Sequence, residues 1–134
     1  MPHCIPEEPD FGGSTAEKVV WDALTDQLPD DVVLIHGQRL TDDRKDVEID
    51  LLLLWPGLGA VVLEVKGGAV GIEDGQWYTR GAHGRSVLKQ SPLEQAMVAK
   101  HTLTGYLRSR LSAVLTPIIH AAVLPYSRLD AHWD

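Results

Sequence analysis

Glu48-Ile49-Asp50-Leu51-Leu52-Leu53-Leu54-Trp55, then Pro56-Gly57-Leu58-Gly59, then Ala60-Val61-Val62-Leu63-Glu64-Val65-Lys66-Gly67, is the stretch that decides the fold of this chain. Runs of Val, Leu and Trp bounded by turn residues read as strands buried on both faces of a sheet. Each run nevertheless carries a carboxylate, Asp50 or Glu64, among apolar neighbours. A bare buried charge is too costly, so both must be paired, hydrogen-bonded or bound to a cation.

The turn fixes how the two acids meet. An odd-numbered loop centred on Gly57 places Asp50 directly opposite Glu64. Opposed residues share a face, with Cβ atoms roughly 4.5–5.5 Å apart. Lys66, two residues beyond Glu64, projects from that same face. Opposed like charges destabilise a strand pair, and a divalent cation between them reverses the sign of that contribution.

Outward from this hairpin, the 134 residues suffice for one domain with a real core. Hydrophobic content of 44% and charged content of 23% are ordinary for a globular chain. A single cysteine, Cys4, excludes an internal disulfide and a zinc ribbon, and the six histidines include no His-x-x-x-His spacing. Any metal is therefore expected to be a hard ion held by oxygen. The uncharged run Leu51 to Leu63 is broken by Pro56 and falls short of the ~20 apolar residues of a spanning helix. Met1 to Gly13 has no basic n-region of a signal peptide, so a soluble, cytoplasmic domain without membrane contact is expected.

The net charge of −7 is unevenly spread. Residues 1–74 hold 16 acids and 5 bases (−11), and residues 75–134 hold 3 acids and 7 bases (+4). Between Asp74 and Glu94 there is no acid, while Arg80, Arg85 and Lys89 occur there with His83. An acidic pocket beside a basic rim suits a polyanion; the alternative is a solvated, Gly-rich loop of ordinary surface charge.

No repeat, low-complexity tract or linker interrupts the chain. Ser14-Thr15-Ala16-Glu17 opens a helix with a capping-box pattern, carried on by Val20, Leu24 and Leu28 to Pro29. Val32 to Ile35 is a short strand, and Arg39 to Asp46 a charged connection. After the two central strands, Ala69–Ile72 and Gln76–Arg80 form a hairpin around Asp74-Gly75. Gly81 to Gln90 reads as a basic loop. Ser91-Pro92-Leu93-Glu94 starts a second helix, with Leu93, Met97, Leu103, Tyr106, Leu107 and Leu111 as its apolar stripe. Pro117 to Leu124 is a final buried strand. The fold class is α/β: a mixed central sheet flanked by helices, with a β-hairpin insert.

This αβββαβ order, with Asp50 on the second strand and Glu64-Val65-Lys66 on the third, resembles the restriction endonuclease-like PD-(D/E)xK nuclease superfamily. The closer resemblance is to its NERD (nuclease-related) domain. The matching pieces are Gly13-Ser14-Thr15-Ala16-Glu17, Glu48-Ile49-Asp50, Leu63-Glu64-Val65-Lys66-Gly67-Gly68, Asp74-Gly75-Gln76-Trp77 and Ser91-Pro92-Leu93-Glu94-Gln95-Ala96. The resemblance implies an N-terminal arm at 1–12 and a nuclease domain at 13–134, of a kind that can be the N-terminal domain of a longer protein. It implies a Mg²⁺-dependent phosphodiesterase, Mn²⁺ substituting, that cleaves nucleic acid (DNA above all) with little sequence preference. Asp50, Glu64 and Glu17 would hold the metal, which acidifies water and neutralises charge growing on phosphorus. Lys66 would orient the water or stabilise transition-state charge, and Gln95 would position water or phosphate. Arg80, Arg85 and Lys89 would bind the nucleic acid. The alternative function is an inactive nucleic-acid or partner-binding module serving a fused helicase- or kinase-like region.

Each residue also has a plainer reading. Glu17 would complete the capping box of Ser14. Lys66 would be a cross-strand partner of Glu48. Gln95 would face solvent, Trp77 and Tyr78 would pack the hairpin, and His83 would be a surface histidine. Asp50 and Glu64 are the two that resist such a reading, because acids are almost never fully buried unpaired.

Overall fold

Alternation along the leucine run puts Leu51 and Leu53 on one face of the sheet and Leu52 on the other, and both faces are covered by helices. The computed structural model describes residues 1–41, 46–81, 83–111 and 116–128. A five-stranded mixed sheet has the order β1-β2-β3-β4-β8, from β1 (His3–Ile5), β2 (Val33–Thr41), β3 (Asp46–Trp55), β4 (Gly59–Val65) and β8 (Ile118–Val123). β2, β3 and β4 are antiparallel neighbours, and β1 and β8 pair parallel to β2 and β4 at the two edges. Helix α1 (Thr15–Gln27) packs Ala16, Val20 and Trp21 on Leu34, Leu51, Leu53, Leu63 and Val65. Helix α2 (Pro92–Arg110) packs Ala99 and Leu103 on the other face, against Leu52, Ala60 and Val62. Leu51 is fully buried, and truncating such a leucine to alanine costs about 2–5 kcal/mol.

Both central strands exchange faces at one point. Leu34 of β2 and Leu51 of β3 lie in the α1 cluster, whereas Leu40 and Ile49 lie in the α2 cluster. An even spacing along an unbroken strand would keep each pair on one face. The switch falls where His36↔Leu51 and Gln38↔Ile49 pair but Gly37 and Asp50, between them, do not. Gly37 has φ +68°, left-handed backbone that glycine adopts without strain. The distortion sits at the acid that the sequence singled out.

Several sequence expectations are corrected. The expected Val32–Ile35 strand is the start of the longer β2, whose far half pairs with β3 through Arg39↔Glu48 and Leu40↔Val47. The expected charged connection therefore contributes Arg39–Thr41 to β2 and Asp46 to β3, while its residues 42–45 lie outside the described residues. Arg39 also takes Glu48 as its ion-pair partner at 3.4 Å, so Glu48 is not held by Lys66. The expected basic loop contains a strand, β7 (Gly84–Val87), which pairs with β6 (Gln76–Gly81) and, with β5 (Ala69–Glu73), makes a second sheet of order β5-β6-β7. On α2 the expected leucine stripe is only partly the buried one: Leu93, Met97 and Leu111 are exposed, and Ala96, Ala99, Thr102 and Leu103 face inward. Small side chains on that face let the helix lie close on the sheet while interior packing stays dense.

Candidate functional site

The β3–β4 hairpin closes as the turn demands. Trp55 pairs with Gly59 and Leu51 with Leu63, which puts Asp50 and Glu64 at the next opposed position. There the ladder ends, and the Asp50 carboxylate takes over its work: Oδ2 accepts the Val65 backbone N–H at 2.9 Å. A buried N–H needs an acceptor, so Asp50 has a structural task as well as a chemical one. Lys66, just beyond β4, donates its backbone N–H to the Val123 carbonyl at 3.0 Å. Among the described residues its ammonium makes no ion pair.

The two carboxyls share a hydrogen bond with each other. Burial, the Asp50 charge and that hydrogen bond push the Glu64 carboxyl up to about 8, against a smaller downward pull from Lys66. Burial also raises Asp50, opposed by the Val65 N–H and helped by the negative charge of Glu17. Near neutral pH the Glu64 carboxyl therefore keeps its proton beside Asp50. That is the state a cation displaces.

Asp50, Glu64, Glu48 and Asp46 open into a groove of about 340 Å³ whose other wall includes Gln95 and Gln90. Gln95 is half-buried there, and its amide Nε2 donates to the Gln90 carbonyl at 3.3 Å. Its position comes from the α2 cap, where Ser91 Oγ accepts the Glu94 N–H at 3.1 Å. The structure thus brings three of the expected site residues, Asp50, Glu64 and Gln95, into one groove.

Glu17 stands apart from that groove lining. Its backbone N–H donates to Ser14 Oγ at 3.3 Å, but the box is not closed, because the Ser14 N–H goes to the Phe11 carbonyl at 3.0 Å. The Glu17 carboxylate instead meets His36 Nε2 at 3.0 Å, both side chains being largely buried. His36, edge-on to Phe11 and Trp21, is a neighbour the sequence reading missed. Only the short strand Val33-Leu34-Ile35 before it hinted that it would be carried inward. Among the described residues no three His, Cys, Asp or Glu side chains cluster in metal-holding geometry.

The expected nucleic-acid residues divide. Arg85 is engaged: it pairs with Glu73 at 2.7 Å and lies 3.9 Å over the Tyr78 ring. Tyr78 in turn lies on Gly71, where a Cβ would come within 2.5 Å of its hydroxyl, so Tyr78 packs the hairpin. Lys89 is exposed between β7 and α2. Arg80 and His83 line a second groove of about 470 Å³ beside Lys66. A wider apolar hollow at the far end of β3, around Trp55, Leu58 and Pro117, is lined by no titratable side chain among the described residues and offers no such chemistry.

No helix among the described residues is long and apolar enough to cross a membrane. No curated protein and no solved structure matches the chain significantly. The family profile described as nuclease-related domain, NERD, matches residues 12–125, which include α1, β2–β8 and α2 and therefore every side chain of the acid pair and its groove. The chain belongs to the nuclease-related domain family.

Proposed function

We propose that the domain is a metal-dependent phosphodiesterase that hydrolyses nucleic acid, with DNA as its substrate and little sequence preference of its own. The observation that carries this reading is the opposed, partly buried Asp50–Glu64 pair lining a solvent-reachable groove. An oxygen-only donor pair suits a hard cation, and Mg²⁺ commonly takes one or two carboxylates and completes its shell with water and phosphate oxygens. Asp50 and Glu64 would hold Mg²⁺ or Mn²⁺, with Glu17 adding negative potential rather than a direct ligand. The ion supplies positive charge to the phosphate oxygens and makes water more acidic. Lys66, just beyond β4 at the neighbouring groove, stabilises charge on the reacting phosphate, and the Gln95 amide orients water or phosphate from the facing helix. The α1-β2-β3-β4-α2-β8 order supports the restriction endonuclease-like core expected from the sequence. The domain works in this reading as a cytoplasmic nuclease, alone or joined to a helicase- or kinase-like region.

A second reading, a module that docks nucleic acid without cutting it, is favoured by one observation: the lack of a three-residue metal cluster among the described residues. Incubation of plasmid and single-stranded DNA with the protein, with Mg²⁺, Mn²⁺ or chelator, separates the two. Metal-dependent cleavage that disappears in Asp50→Asn is expected. Binding with no cleavage under either metal would leave the module, and cleavage that survives chelator and Asp50→Asn would reject the metal site.

A further inference from the structure

The groove beside Lys66 is built from a different chemistry than the acid groove. Lys66, Arg80 and His83 are its cationic or titratable side chains, Thr79 and Ser86 its hydroxyls, and among the described residues no carboxylate lines it. Gly67, Gly68, Gly81 and Gly84 leave bare backbone along its walls, where a ligand can come close. Arg80 is exposed, and among the described residues no acid pairs with it, unlike Arg85, which Glu73 neutralises. Arg80 lies 6.0 Å from the Tyr78 ring centroid, and cations that no acid neutralises among the described residues, with hydroxyls and open backbone, form a receptor for phosphate oxygens.

Placement gives the receptor a partner site. Glu64 lines the acid groove and Lys66 the basic one, so the two meet across Glu64-Val65-Lys66. Two residues of strand rise about 6.7 Å, comparable with the step from one phosphate to the next along a nucleic-acid strand. We propose that the groove between the end of β4 and the β6–β7 hairpin binds the phosphate adjoining the scissile one, with Arg80 as its principal anchor. The substrate strand then crosses Lys66 from the basic groove to the acid pair. This rests on the nuclease reading for the identity of the scissile phosphate, but the groove's affinity for a strand stands without it.

The test is strand binding without turnover. Fluorescence anisotropy of a labelled 20-residue oligothymidylate is measured on the full chain in chelator, across a salt series. Arg80→Ala is expected to weaken binding by roughly 10-fold. It should also reduce the slope of log affinity against log salt by about 0.7, the share of one phosphate contact on a single strand. Arg80→Lys should keep the slope and lose part of the affinity, because it retains charge without the planar fork. Ser86→Glu, on an exposed edge strand, introduces a carboxylate into the groove and should weaken binding without touching Arg80. Arg80→Ala and Ser86→Glu variants that bind as the wild type does would overturn the proposal, even where the wild type cleaves DNA. Inorganic phosphate that competes as strongly as the oligonucleotide, phosphate for phosphate, would also overturn it, in favour of a free-anion site. Cleavage that fails while both binding losses appear supports the groove and removes only the nuclease reading.

Discussion

Asp50 Oδ2 accepts the backbone N–H of Val65 at 2.9 Å, so the acid that faces Glu64 also ends the β3–β4 ladder. One side chain therefore closes a gap in the sheet and holds half of a charged site. The two tasks are separable by substitution, because an amide oxygen can accept an N–H but cannot carry the charge.

Asp50→Ala is expected to lower the unfolding free energy by about 1–3 kcal/mol, the usual cost of a buried donor left without an acceptor. Asp50→Asn should stay within about 1 kcal/mol of the wild type, since its Oδ1 can replace the lost acceptor while the repulsion toward Glu64 disappears. Urea unfolding at neutral pH reads both. If the asparagine variant is as unstable as the alanine one, charge and not the Val65 contact holds this corner.

Glu64 sets a pH dependence with a definite sign. Its carboxyl titrates near 8 in the fold against 4.5 as an ordinary glutamate, so between those values the folded chain holds a proton that the unfolded chain has released. Stability must then fall as pH rises through that window, and recover none of it above. The pair is partly open to solvent, so the loss is expected at roughly 1–3 kcal/mol rather than the full shift. Glu64→Gln should flatten the profile and exceed the wild type in thermal midpoint at about pH 8. Mn²⁺ should restore the wild type at that pH and leave the glutamine variant unmoved, with proton release on binding visible in buffers of different ionisation heat.

Lys66 offers the opposite combination. Its ammonium makes no ion pair among the described residues, and its structural bond runs through the backbone to Val123. Lys66→Ala should therefore change stability by no more than about 0.5 kcal/mol, as surface substitutions do. Metal-dependent cleavage should drop by about 10²–10³-fold, the size of one lost transition-state donor. Full activity in the alanine variant would remove Lys66 from the chemistry and leave it a groove residue alone.

What could be read beforehand divides by the range of the interactions involved. The opposition of Asp50 and Glu64 followed from a three-residue turn between two apolar runs, because hairpin register is local arithmetic. The caps at Ser14 and Ser91 were legible for the same reason. The far half of β2 was not, since Arg39 looks like loop until Glu48 is placed opposite it. The inward face of α2 was misread because leucines outrank alanines in any hydrophobic pattern, whereas close approach to a sheet selects Ala96 and Ala99. The Glu17–His36 contact joins residues 19 positions apart on different elements, and no periodicity encodes it.

That contact decides what Glu17 does. Its N–H, not its carboxylate, serves the cap, and Ser14 supplies the acceptor. Ser14→Ala should cost about 1 kcal/mol of stability and leave Mn²⁺ affinity alone. Glu17→Gln keeps the backbone N–H and a hydrogen-bonding group for His36, so the fold should hold. It removes a negative charge felt by both Asp50 and Glu64, which lowers the pull on a cation, and Mn²⁺ affinity should fall several-fold in calorimetry. A Glu17→Gln variant that loses as much stability as Ser14→Ala, with unchanged Mn²⁺ affinity, would reduce Glu17 to a structural partner of His36.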